Sequence, residues 1–84
     1  MSYYEYECKV LSILTETLKI ESINTSSNDV IRLNFSDDFH FDFNRKILED
    51  AHIQEYPARF IARQIKNDIC EEYVNAFLEK KKAT

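Results

Sequence analysis

The sequence predicts an α+β fold, a four-stranded antiparallel meander with one long C-terminal helix packed on one face, in the order β-β-β-β-α. Three observations predict it. Short runs between Tyr3 and Phe43 alternate apolar with polar residues, the period-two signature of strands that bury one face. Clusters of Thr, Ser, Asn and Asp separate those runs. From Pro57 to Lys82 the period changes to that of a helix, enough for about seven turns. With 84 residues, the chain is expected to form a single domain, 1–84. An apolar content of 44% with 13% aromatics is too high for a disordered chain.

Tyr3 to Leu14 reads as the first strand, with Tyr4, Tyr6, Cys8 and Val10 on one face and Glu5, Glu7 and Lys9 on the other. A helix from Tyr6 to Leu18 competes, because Tyr6, Val10, Ile13, Leu14 and Leu18 also recur at helical spacing. The strand is preferred because its alternation is aromatic and β-branched. Thr15-Glu16 is then a tight turn, and Thr17 to Ile23 a second strand with Leu18 and Ile20 inward. Thr25 to Asp29 is a loop of turn formers. Val30 to Phe35 is the third strand, with Ile31, Leu33 and Phe35 inward. Ser36-Asp37-Asp38 closes a hairpin. The fourth strand turns Phe39, Phe41 and Phe43 inward, and His40 and Asp42 outward.

Asn44 is expected to N-cap a short helix ending at Asp50. A break follows at Tyr56, since the residue before a proline is pushed out of helical geometry. Pro57, the sole proline, suits the first turn of the closing helix. On that helix Ala58, Ile61, Ala62, Ile65, Ile69, Tyr73 and Ala76 form a core-facing stripe directed at the phenylalanines of strand four. Beyond Ile69 the apolar arc widens to include Cys70, Val74, Phe77 and Leu78. A helix lying on one sheet does not need that width, so these four are candidates for a face that meets a second chain.

Charge is unevenly spread. The net charge is −4 and the pI about 5.1. The segment from 37 to 55 concentrates acids at Asp37, Asp38, Asp42, Glu49, Asp50 and Glu55, a candidate acidic partner-binding surface. Arg59, Arg63 and Lys66 recur at i, i+4, i+7 on the closing helix, and are candidate nucleic-acid contacts. An acidic chain is a poor nonspecific nucleic-acid binder, so that role ranks lower.

Little in the sequence points to catalysis. The chain has no glycine, which excludes glycine-rich phosphate-binding loops. Glu49 and His52 have the i, i+3 spacing of helical metal ligands, but neither HExxH nor CxxC occurs, and no metal or cofactor is expected. Cys8 and Cys70 sit in apolar patterns and read as buried, unreactive thiols. Tyr3, opposite Tyr4 and Tyr6, is either an interface anchor or ordinary edge-strand packing. No run is apolar enough to cross a membrane and the N-terminal residues lack a leader pattern, so a cytoplasmic location is expected. Together these features suggest a small non-enzymatic protein-binding or inhibitory module. An anti-defence inhibitor from a phage or other mobile element, blocking a surface of a larger macromolecule, is one specific version. The expected partner is a larger protein or protein–nucleic acid complex, with homodimerisation a second option. The alternative is a nucleic-acid-binding regulatory module using the basic row.

Overall fold

The computed structural model describes residues 2–36 and 38–82. Its order is α1 (Tyr3–Thr17), β1 (Ser22–Asn24), β2 (Val30–Asn34), β3 (His40–Asn44), α2 (Lys46–Ile53) and α3 (Ala58–Lys82). The fold is α+β, but with three antiparallel strands and three helices among the described residues. The expected four-stranded meander with a single helix is therefore incorrect, and the error lies at the N-terminus.

The segment expected to be strand one is α1. Ser2 caps it: its Oγ accepts a hydrogen bond from the Glu5 amide at 3.2 Å. Tyr6, Val10 and Leu14, four residues apart, are buried, while Tyr4 and Cys8 from the same alternating set are exposed. Helical spacing, not alternation, thus decides which face is covered. The expected second strand shrinks to Ser22–Asn24, because α1 runs on to Thr17 and Leu18 closes it through its amide to the Leu14 carbonyl.

The sheet has order β1-β2-β3. Its register pairs Ile31 with Phe43 and Leu33 with Phe41 on the inner face, and Arg32 with Asp42 and Asn34 with His40 on the outer face. On β1, Ile23 pairs with Leu33. The inner side chains of β2 and β3 are buried and the outer ones open, apart from a half-buried Asn34, the expected pattern for a sheet packed on one side. Phe35 and Phe39 flank the strands and are half-buried.

One core gathers Tyr6, Val10 and Leu14 from α1, the four inner residues of β2 and β3, Leu48 and Ala51 from α2, and Ala58, Ile61, Ala62, Ile65 and Ile69 from α3. α1 and α3 pack closely together, so the closing helix shares the sheet's inner face with a second helix instead of covering it alone.

An ion pair ties three parts of the chain together. Arg45, between β3 and α2, places Nε 2.8 Å from Glu7 Oε1 on α1, with side chains only 14% and 10% exposed. Its other nitrogens donate to the Ser27 carbonyl at 2.8 Å and the Thr25 carbonyl at 3.1 Å. The Tyr3 hydroxyl donates to Glu7 at 2.9 Å. Burial and that carboxylate hold the Tyr3 phenol well above its usual range. Tyr3 is thus half-buried and engaged.

Without glycine, two left-handed turn positions fall to acids: Asp38 and Glu55 both have φ of 60°. Asp38 turns β2 into β3. Glu55 follows α2, where the Tyr56 amide donates to the Ala51 carbonyl at 2.9 Å. At the other end of α2 the N-cap is Arg45 and not the expected Asn44, one residue earlier, whose Oδ1 accepts from the Lys46 amide at 2.9 Å; the helix extends past the expected Asp50 to Ile53.

Candidate functional site

α3 outruns what it packs on. Ile69 is the last core residue, yet the helix continues to Lys82, roughly 20 Å further at 1.5 Å per residue. Tyr73 is 45% exposed, Val74 52%, Phe77 58% and Leu78 48%, and Cys70 is exposed beside them. At 100° per residue these five span an arc of roughly 140°. The four residues expected to form a partner face therefore lie together and open to solvent. Tyr73, expected in the core stripe, belongs with them, and Ala76 is half-buried. Both thiols are exposed, correcting the expectation of burial.

The exposed end is continuous with a cavity of about 330 Å³ at its base, lined by Leu18, Phe35, Phe39, Ile69, Tyr73 and Val74 among others. Phe39 meets Tyr73 edge-on with centroids 5.3 Å apart, and Phe35 lies 5.5 Å from Phe39. The β2–β3 hairpin thereby props the helix where it leaves the body, making the apolar end a supported prong.

The acidic residues are not brought together. Asp37 lies outside the described residues. Asp38 sits at the hairpin end of β3, whereas Glu49, Asp50 and Glu55 follow its opposite end on α2 and the next turn. Asp42 lies between them on the outer sheet face, and its carboxylate is engaged: Arg32 donates from Nε at 2.8 Å and from a terminal nitrogen at 3.0 Å. That bidentate pairing holds the Asp42 carboxyl below the usual range.

The basic row occupies the same edge of α3 as the apolar end, about one to three turns earlier. Arg59 and Arg63 are exposed and Lys66 is half-buried. Tyr56 and Phe60 stand exposed beside the arginines, with centroids 5.5 Å apart. A groove of about 870 Å³ separates this corner from α1, lined by Tyr6, Lys9, Ile13, His52, Tyr56 and Arg59 among others. Sequence reasoning set Lys9 on the outward face of a strand and gave Tyr56 and Phe60 no surface role; the groove itself was missed, because it exists only if Tyr3–Thr17 is a helix.

Glu49 is exposed, and His52 is half-buried against aromatic rings, 5.3 Å from Tyr6 and 6.1 Å from Tyr3. Among the described residues no group of three or more metal-ligating side chains assembles, and no helix is long and apolar enough to cross a membrane. Comparisons with protein-family models, curated proteins and solved structures give no match.

Proposed function

We propose that this chain is a small non-enzymatic protein-binding module. In this reading the end of α3 enters an apolar groove of a larger protein and acts as an inhibitor wherever the covered surface is one the partner uses. The observation that carries the reading is the supported, solvent-exposed apolar end formed by Tyr73, Val74, Phe77 and Leu78. Helices that present anchors at i, i+3, i+4 and i+7 to a groove are a recurrent recognition mode.

Area favours a larger partner over a second copy. Two half-exposed aromatics offer about 100 Å² each, and with Val74 and Leu78 the end supplies roughly 350 Å² of apolar surface. Two such ends laid together stay well below the roughly 1,200 Å² of a specific stable interface. A groove that wraps the helix reaches that size by engaging its flanks and the Phe35–Phe39 base as well. The nucleic-acid alternative has less support, since Lys66 is half-buried and the chain is acidic.

The test compares the full chain with a Val74→Asp/Phe77→Asp double variant as bait in lysate of the cells that produce it, alongside light scattering of each. The reading expects a stoichiometric larger protein on the parent chain, its loss from the variant, and an unchanged melting temperature. Equal capture by both, or a stable homodimer that the substitutions dissolve, would count against it.

A further inference from the structure

The groove between α1 and the α2–α3 turn is the other large concave surface, and nothing in the α3-end reading uses it. Its wall is preset. The Tyr6 hydroxyl donates to the Tyr56 carbonyl at 2.8 Å, the Tyr56 amide to the Ala51 carbonyl at 2.9 Å, and the Glu55 amide to the His52 carbonyl at 3.1 Å. The left-handed Glu55 fixes the direction in which Tyr56 and Pro57 leave α2. A cavity of about 480 Å³ shares Tyr56, Pro57 and Arg59 with the groove and carries it on to Phe60 and Arg63. A surface held in this way costs little ordering when a ligand arrives.

We infer that this groove binds a short acidic peptide segment of a partner protein. An apolar side chain of the peptide lies against Ile13, Tyr6 and Tyr56, and its carboxylates face Lys9, Arg59 and Arg63. Charge complementarity selects that occupant. Among the described residues the three cations take part in no ion pair, whereas Arg32 and Arg45 do. Among the described residues Glu55 is the one carboxylate that lines the groove. A nucleic-acid strand brings a phosphate at every step, and so sets one against Glu55. A peptide brings carboxylates only where the cations are, and amide donors where Glu55 is. This inference stands apart from the α3-end reading.

The experiment uses the labelled full-length chain on an array of random short peptides in acidic, basic and neutral sets that share the same apolar residues. A single-stranded oligodeoxynucleotide is titrated in parallel. Binding confined to acidic peptides is expected, with amide shifts on addition of a bound peptide centred on Lys9, His52 and Arg59. A Lys9→Glu/Arg59→Glu variant, altered only at exposed positions, should bind at least about tenfold more weakly at an unchanged melting temperature. Val74→Asp/Phe77→Asp should bind the peptides undiminished, so each surface can fail without the other. No preference for acidic peptides, shifts centred elsewhere, an unaffected groove variant, or tighter binding of the oligonucleotide would each overturn the inference.

Discussion

Replacing Arg45 with methionine removes the charge at the junction of α1, the β1–β2 loop and α2, and keeps most of the side chain's length. Glu7 is then left beside the core without its counter-ion, and among the described residues the Tyr3 hydroxyl is its one remaining side-chain partner. Breaking a buried pair from one side costs about 3–5 kcal/mol, mostly because a charge is left without compensation. The side chains are 14% and 10% exposed, so little solvent is present to offset the loss. The bonds from Arg45 to the Ser27 and Thr25 carbonyls disappear as well. For a domain this small, whose whole stability is on the order of 5–10 kcal/mol, a loss of about 3 kcal/mol lowers Tm by about 15 °C. Urea titration followed by circular dichroism measures it. A Glu7→Leu/Arg45→Met double variant separates the charge effect from packing. With both charges gone it should recover about 2 kcal/mol relative to Arg45→Met alone. A single variant within about 0.5 kcal/mol of the parent, or strictly additive losses in the cycle, would refute the assignment of this pair as the tie between the three segments.

The remaining expectations concern single groups. Ser2→Ala removes the cap of α1 and should lower stability by about 1 kcal/mol, read by thermal denaturation. Val74→Asp and Phe77→Asp lie on exposed helix surface and should change stability by no more than about 0.5 kcal/mol each, which separates binding loss from unfolding. Asp42 is held below its ordinary value by Arg32, so its contribution is present above the unfolded carboxylate pKa of about 4 and is lost as pH falls through the depressed native value. The stability difference between the parent and Asp42→Asn should therefore be full near neutrality and vanish in the acid limb. A difference independent of pH would contradict the pairing.

How much was legible in the sequence depends on what each pattern can discriminate. The closing helix could be read because its core residues recur over about three turns and a proline opens it. Its exposed end was visible for a related reason: the apolar arc widens beyond Ile69 to more than one contact surface can cover. α1 was misread because Tyr4, Tyr6, Cys8 and Val10 satisfy period two while Tyr6, Val10 and Leu14 satisfy the helical period, and so short a run does not separate them. The discriminating signal was Ser2-x-x-Glu5, a helix-start signature, realised as the Ser2 cap. The burial expected for Cys8 failed with the strand. The Glu7–Arg45 pair joins residues far apart in sequence, and no local pattern announces it. Glu55 in a left-handed turn was equally hidden, since glycine or asparagine is the ordinary marker of such a position. The aromatic and basic groove depended on α1, and so was lost with it.

The measurement that bears most directly on the proposed role is photocrosslinking in cells that express the chain, with benzoylphenylalanine placed at Phe77 and, separately, at Asp42 on the outer sheet face. The account predicts a light-dependent adduct between the Phe77-substituted chain and one larger protein, and no such adduct from position 42. An adduct from position 42 alone, or crosslinking at 77 that yields only a dimer of this chain, would contradict it.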